Sequence, residues 1–417
     1  MSRLKVLHAI TMLELGGAQR NTLDTVARLD RGRFEPALAC ADEGELLAPA
    51  RALGDVRMFE LAHLRREVRP WADLRALGEL RRAIRSFAPA IVHTHSSKAG
   101  ILGRLAARLE RVPVVVHSIH GFGFGPHQAA VVRAAYLAAE RRAARWTTAF
   151  VAVSQANAQA GLRLGLFRSD QVRVVRSGID LGAFRAHSGG AAVRTELGIS
   201  PHAPLLVQVA CFKPQKAPER FVALAAEVAA RHSDAHFLLV GDGGLRPKLE
   251  RARAEAGLER RLHLPGWRHD LPAIYDAAWV VTLTSRFEGL PRVLVEALAA
   301  GVPVVAMAVD GVVEVVRDGV NGFLVAAGDV AAMAERVEAI LDQPGLRARL
   351  TTRAGEGLET FDRDLMVRQQ ESLYEELAAK AGVWPPGLVD RAAHIGPTAA
   401  VREPRASVFA PNGGTDG

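Results

Sequence analysis

The chain has 417 residues, 49% of them hydrophobic and 24% charged, which is enough for two or three domains with buried cores. This composition excludes a fibrous or disordered protein, and two cysteines, Cys40 and Cys211, are too few for a disulfide framework or a structural zinc site. Residues 1–190 hold 28 basic and 16 acidic residues, a net charge of +12, whereas the remainder carries −4. A basic first half indicates contact with phosphates or an anionic surface, although dispersed surface arginines would give the same balance.

The N-terminal segment predicts a strand, a glycine-rich turn and a helix. The strand covers residues 4–10, Gly16 and Gly17 form the turn, and the helix continues to about Leu29. A glycine-rich turn lets the backbone approach a ligand, but two glycines alone are a weak signal. This start does not have the pattern of a signal peptide, and no apolar run approaches the roughly 20 residues that cross a bilayer. We therefore expect a cytoplasmic protein, soluble or peripheral on the inner face of the cell membrane.

The next segments predict strands whose ends carry polar side chains. Residues 71–87 have apolar side chains at helical spacing, a strand follows at 89–95, and another strand precedes His120. Ligands bind at the carboxyl ends of strands in open parallel sheets, so His95, Lys98 and His120 fall where chemistry is expected. Histidines in such places are also commonly structural, and the pattern alone leaves both roles open.

The second half restarts the alternation of strands and helices after Ser188-Gly189-Gly190, which has the composition of a linker. This alternation predicts a second doubly wound domain. Gly241-Asp242-Gly243-Gly244 follows a predicted strand, but Arg246 occupies the third glycine position of a dinucleotide-binding turn, which disfavours a dehydrogenase. The strands of this half are predicted at 205–210, 236–240, 262–264, 279–283 and 303–306.

The stretch around Pro291 predicts a strand, a phosphate-binding turn and a helix. Proline is best tolerated in the first helical turn, so the helix should begin near Leu290, with the amides of Gly289 and Leu290 free to hold a phosphate. Glu288 and Glu296 are eight positions apart and can accept hydrogen bonds from hydroxyl groups on either side of that phosphate. A nucleotide-sugar has this form. An ordinary α/β crossover with a solvated Glu288 would show the same pattern.

The same stretch carries a resemblance to a known family. Glu288 and Glu296, with Gly289-Leu290-Pro291 between them and residues 299–305 after them, resemble the signature of glycosyltransferase family 4, and weaker matches extend over about the first 380 residues. The resemblance implies retaining enzymes of the α/β class with the GT-B fold, in which two doubly wound Rossmann-like domains face each other across a cleft and a C-terminal helix crosses back to the first. The expected parts are an acceptor-side domain at 1–187, a donor-binding domain at 188–361, a crossover helix at 362–381 and a disordered tail at 382–417.

The resemblance also assigns roles to residues of the site. Glu288 is expected to bind hydroxyls of the transferred sugar, Glu296 the ribose hydroxyls, and His120 the donor sugar. His95 and Lys98 are expected on the acceptor side. Further contacts to the nucleotide-sugar are implied for Gly16, Gly17, Gly266, Trp267, Arg268, Gly289 and Leu290.

One position departs from the family pattern. Family 4 enzymes carry an arginine and, five residues later, a lysine, which together neutralise the donor diphosphate. Lys216 matches the lysine, but Cys211 stands at the arginine position, and we expect Lys213 to restore the second charge. Such charges matter because negative charge develops on the leaving diphosphate.

The resemblance implies a reaction without a metal or a cofactor, the nucleotide-sugar being a co-substrate. The spacing Asp-x-Asp occurs at Asp362 and Asp364, at the start of the last predicted helix rather than after a strand, so we expect no metal. The implied reaction is an attack on the same face as the leaving group, with the leaving phosphate taking the proton of the acceptor. It does not use a carboxylate nucleophile of the glycosidase kind.

The resulting hypothesis is a retaining hexosyltransferase of cell-surface polysaccharide synthesis. Residues 93–103 and His120-Gly121 are most similar to transferases of bacterial capsule, lipopolysaccharide or lipid-linked oligosaccharide assembly. The expected partners are a UDP-sugar donor, a glycan or lipid-linked acceptor and an anionic membrane surface, with no nucleic acid. Two alternatives stay open: a nucleotide-sugar epimerase of the same fold, and a catalytically inactive GT-B scaffold, which Cys211 would favour.

Overall fold

The fold is described from a computed structural model, which covers residues 3–123, 128–186 and 188–384. The tail predicted at 382–417 therefore lies almost entirely outside the described residues. The described part forms two α/β units, each built on a parallel sheet. This architecture confirms the predicted pair of doubly wound units.

The first unit has seven described strands in the order β3-β2-β1-β4-β5-β6-β7, all parallel. The strands are β1 (Leu4–Ala9), β2 (Phe34–Ala41), β3 (Arg57–Leu61), β4 (Ile91–His95), β5 (Val114–Ile119), β6 (Ala149–Ala152) and β7 (Val172–Val174). The helices are α1 (Gly17–Arg28), α2 (Leu47–Arg51), α3 (Pro70–Phe87), α4 (Ser97–Leu109), α5 (Ala130–Ala144) and α6 (Gln155–Arg163), with a 3-10 turn at Ser169–Gln171. The short helix α7 (Leu181–Arg185) follows β7 but packs on the second unit, where Leu181 and Phe184 join the buried core. The strand predicted at 89–95 begins two residues later than expected.

The second unit has six described strands in the order β10-β9-β8-β11-β12-β13, again all parallel. The strands are β8 (Leu205–Val209), β9 (His236–Val240), β10 (Leu262–His263), β11 (Val280–Leu283), β12 (Val304–Met307) and β13 (Gly322–Val325). The helices are α8 (Gly190–Glu196), α9 (Pro218–Arg231), α10 (Arg246–Glu255), α11 (Leu271–Ala277), α12 (Arg292–Ala299), α13 (Val330–Asp342) and α14 (Pro344–Ala354), with 3-10 turns at Asp310–Glu314 and Leu358–Phe361.

Both strand orders change direction at their first strand. The switch points therefore lie between β1 and β4 in the first sheet and between β8 and β11 in the second. Ligands of open parallel sheets bind beyond the carboxyl ends of the strands at such points. The segments that follow these four strands supply part of the site.

The last helix, α15 (Arg363–Lys380), follows the second unit in sequence but packs on the first. Its Tyr374 and Leu373 join a buried cluster with Leu4 and Val6 of β1. Arg33 donates hydrogen bonds to Glu371 at 2.7 Å and to a neighbouring α15 carboxylate, so charge pairing adds to the apolar contact. This packing confirms the predicted crossover of the C-terminal helix.

Helix α3 is amphipathic only after its first turn. Leu80, Ile84 and Phe87 are buried against the first sheet, whereas Trp71 is 81% exposed and Leu74 60% exposed. The helix predicted at 71–87 is therefore present, but the apolar side chains of its first turn lie in solvent because only the later turns reach the core. Across the described residues, no helix is long and apolar enough to span a membrane.

Candidate active site

The carboxyl ends of the two sheets meet at a cleft that contains two cavities. The larger cavity has a volume of about 780 Å³ and is lined mainly by the first unit. The smaller cavity has a volume of about 290 Å³ and is lined by both units. His120, Gln19 and Lys213 line both cavities, so a molecule in one reaches the other at these side chains.

The turn before α12 differs from its prediction. The helix begins at Arg292 rather than near Leu290, because Pro291 has an extended backbone (ψ 90°) and stays outside the first turn. The N–H groups of Gly289 and Leu290 have no hydrogen-bond partner among the described residues. They line the smaller cavity together with Pro291, so the predicted phosphate-binding amides are present although they precede the helix.

Gly289 also lies at one of the contacts between the two units. A Cβ atom at this position would lie 2.0 Å from the carbonyl oxygen of His120, and one at Gly311 would lie 2.0 Å from the carbonyl oxygen of Gly289. No side chain fits in such a contact. The glycine is therefore required by the approach of the second unit to His120, a reason that the local sequence pattern does not contain.

Glu288 is buried and has one oxygen fully engaged. Its Oε1 atom accepts hydrogen bonds from Lys216 Nζ at 2.5 Å and from Ser285 Oγ at 2.7 Å. Its backbone N–H donates to Asp310 Oδ2 at 2.9 Å, and Asp310 holds a left-handed φ of 38°. Burial raises the pKa of Asp310, and the charge of Glu288 adds to that effect. These contacts fix the Glu288 carboxylate while leaving Oε2 for a ligand.

Glu296 lies on α12 in the wall of the smaller cavity. It is 3% exposed and accepts a hydrogen bond from the Tyr275 hydroxyl at 3.3 Å. Burial raises the pKa of Glu296, while the charges of Arg292 and Arg20 act in the opposite direction. A buried carboxylate with a shifted pKa beside cations is typical of a binding site. Glu288 is 6% exposed, so the solvated Glu288 of an ordinary crossover is not what the structure shows.

Basic side chains surround the smaller cavity, and most of them have a carboxylate partner. The pairs are Lys216 with Glu288 at 2.5 Å, Lys213 with Glu14 at 3.3 Å, Arg292 with Asp24 at 3.3 Å and Arg268 with Asp270 at 2.7 Å. Arg20 also lines this cavity, and its guanidinium has no hydrogen bond or ion pair to any residue that the structure describes. It is the cation of this set that is available to an anionic ligand without breaking a contact.

Cys211 and Lys213 lie in the loop after β8. The Sγ atom of Cys211 is 3.6 Å from the carbonyl oxygen of Leu15, and burial raises the pKa of the thiol, so this side chain supplies no charge. Glu14 holds Lys213 and also Arg66. Burial alone would raise the pKa of Glu14, but these two cations leave it lowered. Lys213 therefore carries a charge at the cleft that Glu14 partly neutralises.

The structure brings most of the predicted donor-binding residues together. Gly16, Gly17, Trp267 and Arg268 all line the smaller cavity, opposite the Glu288 turn. Gly266 does not line it; its carbonyl instead accepts a hydrogen bond from the N–H of Gly241. The glycine at this position supports the loop under Trp267 rather than facing the cavity.

Two predictions about histidine and lysine side chains have different outcomes. Lys98 lines the larger cavity, where its Nζ atom lies 2.6 Å from an oxygen of Asp73. His95 is 1% exposed, lines neither cavity, and lies behind His120 with its Nδ1 atom 3.1 Å from His120 Nε2. The prediction that His95 faces the acceptor is therefore corrected, because the last residue of β4 points into the core.

His120 is neutral in the cleft. Burial, aided by the charge of Arg292, lowers its pKa to about 4. A neutral imidazole can accept one hydrogen bond and donate another. His120 can therefore hold a substrate hydroxyl without adding a positive charge beside it.

Three site residues were not found from the sequence. Arg20 lies three positions after Gly17, so one helical turn brings it back to the glycine turn, and that spacing is a usable signal. Arg292 directly follows Pro291, so its position next to the predicted phosphate-binding turn is a similar signal. Asp310 supports Glu288 from another loop, and no local pattern indicates such a contact.

Comparisons with known proteins identify the family. The family described as Glycosyltransferase Family 4 matches residues 15–183, and the one described as Glycosyl transferases group 1 matches residues 191–356. An Escherichia coli UDP-Gal:alpha-D-GlcNAc-diphosphoundecaprenol alpha-1,3-galactosyltransferase is 32% identical over 346 residues, or 82% of this chain and 89% of that protein. A D-inositol 3-phosphate glycosyltransferase of Salinispora arenicola is 32% identical and covers 70% of each chain.

Solved structures have the same fold. HepE of Anabaena in complex with UDP and glucose superposes with a TM-score of 0.79 at 22% identity, covering 90% of this chain and 100% of that one. WaaG, a glycosyltransferase involved in lipopolysaccharide biosynthesis, gives a TM-score of 0.71 at 16% identity over 89% and 99% of the two chains. With two facing parallel sheets, a cleft between them and a relative similar over most of its length, this chain belongs to the family 4 glycosyltransferases of the GT-B fold.

Proposed function

We propose that the protein transfers a sugar from a UDP-sugar to a lipid-linked acceptor, with retention of configuration and without a metal, in the synthesis of a cell-surface polysaccharide. The observation that carries this proposal is the pair of buried carboxylates, Glu288 and Glu296, on either side of the free N–H groups of Gly289 and Leu290. The name of the 32% identical Escherichia coli enzyme, with its UDP-galactose donor and diphosphoundecaprenol-linked acceptor, supports the choice of substrates.

The donor would occupy the smaller cavity. Glu296 would accept hydrogen bonds from the ribose hydroxyls, and Trp267 would lie against the base. The free Oε2 of Glu288 would accept a hydroxyl of the transferred sugar, since Lys216 and Ser285 already hold Oε1. His120 borders both cavities and would contact the same sugar. With the donor bound in this way, its anomeric carbon would lie at the junction of the two cavities.

Lys216 and Arg20 would neutralise the diphosphate. Lys216 has the position of the family lysine, and Arg20 supplies a guanidinium that is not paired within the described part of the chain. Lys213, which the sequence suggested for this role, must first share its charge with Glu14 at 3.3 Å. We therefore assign the second charge of the clamp to Arg20, with Lys213 as a weaker contributor.

The reaction would proceed on one face of the sugar. The oxygen of an acceptor hydroxyl forms a bond to the anomeric carbon as the bond from that carbon to the β-phosphate oxygen breaks. The hydroxyl proton passes to the leaving phosphate, and UDP departs with the bonding electron pair. Lys216, Arg20 and the amides of Gly289 and Leu290 would stabilise the charge that develops on this phosphate.

The acceptor would enter through the larger cavity. Polar groups of Ser97, Lys98 and Arg66 line it together with the apolar side chains of Ile101 and Phe122, a mixture that suits a sugar diphosphate on a lipid. Val68 also lines this cavity and is 68% exposed, and Trp71 and Leu74 extend the same apolar surface into solvent. We define Val68, Trp71 and Leu74 as the apolar rim.

The apolar rim would bind an anionic membrane. Arg69 and Arg75 lie next to the rim in sequence, and Arg82 lies about two turns further along α3. All three are exposed and have no side-chain ion pair to the described residues, whereas Arg65 and Arg66 are paired with Asp42 and Glu14. The unpaired arginines would contact lipid phosphates, and the rim would enter the headgroup region. Lipid-linked acceptors would then reach the larger cavity from the membrane surface.

The experiment that tests this function supplies radiolabelled UDP-galactose, UDP-glucose or UDP-N-acetylglucosamine with a short-chain prenyl-diphosphate sugar, in the presence and absence of EDTA. We expect a labelled lipid product with the anomeric configuration of the donor, formed equally with EDTA. Isomerised donor without transfer would instead identify an epimerase. The absence of both transfer and donor hydrolysis with all of these sugars would contradict the proposal. A product with inverted configuration would contradict it as well.

A further inference from the structure

A chain of buried hydrogen bonds runs from His120 in the cleft to the crossover helix. His120 Nε2 lies 3.1 Å from His95 Nδ1, and His95 Nε2 lies 3.1 Å from His8 Nδ1. His8 Nε2 lies 3.5 Å from the hydroxyl oxygen of Tyr374 on α15. We call His120, His95, His8 and Tyr374 the histidine chain. The mechanism proposed above uses His120 and leaves the other three without a role.

At the Tyr374 end of the histidine chain, the donor and the acceptor of each hydrogen bond are fixed. The Thr25 hydroxyl donates to the carbonyl oxygen of Asn21 at 2.9 Å, so its oxygen must accept the 3.1 Å hydrogen bond from Gln370 Nε2. The amide oxygen of Gln370 therefore faces Tyr374, 3.2 Å from its hydroxyl. An amide oxygen only accepts, so Tyr374 donates its single proton to Gln370 and can only accept from His8.

The donor and acceptor roles at Tyr374 determine those of each histidine in the histidine chain. Burial lowers the pKa of His8 to about 3 and that of His120 to about 4, and it holds the pKa of His95 well below its usual value, so each ring is neutral and carries one proton. His8 donates from Nε2 to Tyr374 and must accept at Nδ1. His95 then donates from Nε2 and accepts at Nδ1, and His120 donates from Nε2.

These hydrogen bonds define the tautomer of His120 at the cleft. With its proton on Nε2, His120 presents an unprotonated Nδ1, and this atom has no hydrogen-bond partner among the described residues. His120 also lines both cavities. An unprotonated imidazole nitrogen accepts a hydrogen bond from a hydroxyl group and repels another acceptor. The cleft therefore selects a hydroxyl at this position.

The neighbouring His93 gives the cluster a second possible interpretation. Ring nitrogens of His8, His93 and His95 lie within 4.8 Å of one another, which is close enough to consider a metal ion. His93, however, uses Nδ1 with the Tyr374 hydroxyl at 2.5 Å and Nε2 with Ser118 Oγ at 2.8 Å. Every ring nitrogen of the three already has a partner, so a metal would have to break hydrogen bonds that satisfy buried groups.

We propose that His95, His8 and Tyr374 are positioning residues that keep the proton of His120 on Nε2, so that Nδ1 accepts a hydroxyl of the sugar substrate. The identity of that hydroxyl group rests on the proposed glycosyl transfer, but the protonation of His120 does not. Gln370 and Thr25 set the direction from α15 and α1. The correct docking of the crossover helix is thereby a condition for the correct form of the active-site histidine.

Two measurements on Tyr374→Phe test this inference, because the substitution removes the hydroxyl and keeps the ring. Nitrogen-15 spectra of histidine-labelled enzyme, with His120 identified by its loss in His120→Ala, should show an unprotonated Nδ1 in the wild type and a mixture of tautomers in the variant. Ser118→Ala, which removes a hydrogen bond from His93 outside the histidine chain, should leave the His120 tautomer unchanged. This readout is independent of transfer activity.

Kinetics of a double-mutant cycle supply the second measurement. Tyr374→Phe should lower kcat about tenfold in the wild type and leave kcat unchanged in the His120→Ala background, since it acts through His120. If Tyr374→Phe does not fold, Thr25→Val provides the same test from the end of the chain. A proton on Nδ1 of wild-type His120, equal losses in both backgrounds, or a stoichiometric transition metal in the purified enzyme would overturn the inference.

Discussion

Lys216 Nζ and Glu288 Oε1 are 2.5 Å apart across the loops that follow β8 and β11. The pair joins the residue expected to bind the donor phosphate to the residue expected to bind the transferred sugar. Ser285 donates to the same oxygen at 2.7 Å, so the orientation of the carboxylate does not depend on a substrate. A site held in this way has little to reorganise when the donor binds, which favours catalysis.

Glu288→Gln should lower the rate of transfer about ten- to a hundredfold, or somewhat more, with little loss of thermal stability. The change keeps the shape of the side chain but removes the ionised acceptor, and a hydrogen bond to a charged group is worth about 1.5–3 kcal/mol. Steady-state transfer and thermal melting measure the two effects. Glu227→Gln, on the exposed face of α9 in the same unit, is the matched control, and wild-type turnover in Glu288→Gln would remove Glu288 from the site.

Substitution of three cations should distinguish the members of the diphosphate clamp. Lys216→Ala should lose most activity, Arg20→Ala should lose about tenfold, and Lys213→Ala should lose less, because Glu14 already shares the charge of Lys213. Cys211→Ala should be nearly silent. Initial rates at saturating acceptor decide the order. A Lys213→Ala enzyme as impaired as Lys216→Ala, beside an active Arg20→Ala enzyme, would return the second charge to Lys213.

Glu296→Gln should weaken donor binding more than turnover. The carboxylate lies in the wall of the smaller cavity, away from the junction at which the anomeric carbon is expected, so its loss affects the ground state and the transition state alike. We expect KM for the donor to rise about tenfold while kcat changes less than about twofold. Isothermal titration with UDP provides a second measurement. A drop in kcat at unchanged KM would contradict the assignment to the ribose.

The apolar rim and its unpaired arginines should bind anionic vesicles at low salt. A variant with Arg69, Arg75 and Arg82 changed to Ser should bind at least tenfold more weakly, since each basic residue near such a surface contributes about 1 kcal/mol. Co-sedimentation with phosphatidylglycerol vesicles at low and high salt measures this. A control variant carries the same loss of charge at Arg231, Arg251 and Arg349 in the second unit. Equal binding by the two variants, or none by the wild type, would exclude this docking surface.

Acid should destabilise the protein through its buried histidines. His8 has a pKa of about 3 in the fold against an ordinary value of 6.5, and burial also lowers the pKa values of His93, His95, His117 and His120. At pH values between these lowered pKa values and 6.5, the unfolded chain binds more protons than the folded chain does. The free energy of unfolding should therefore fall as the pH drops below about 6.5, by up to about 1.4 kcal/mol per pH unit for each histidine.

Denaturant unfolding at several pH values between 7 and 5 measures this slope. His117→Gln removes one buried histidine outside the histidine chain. The slope of the free energy of unfolding against pH should therefore fall by the contribution of about one proton. A free energy of unfolding that is constant over this range would show that the histidines are protonated in the fold, contrary to their burial.

Local sequence determined much of the fold because strand and helix periods are local properties. The strands near β1, β4 and β8 to β12, and the helix α15, follow from apolar runs and helical spacing. The Ala-rich β2 (Phe34–Ala41) was not predicted, since alanine has weak strand preference and only its neighbours in the sheet stabilise it there. The domain boundaries stay predictions.

Some features of the candidate site also follow from local sequence, and others depend on tertiary contacts. Glu288 and Glu296 lie in one motif whose spacing is local, so the sequence by itself placed them together, whereas the family resemblance was needed to expect Lys216 at the same site. Tertiary structure alone decided that the backbone of Gly289 packs on the His120 carbonyl, that Glu14 pairs with Lys213, and that His95 lies behind His120. Each of these contacts joins residues far apart in the chain, and their geometry depends on how two sheets and a returning helix pack, which no local pattern specifies.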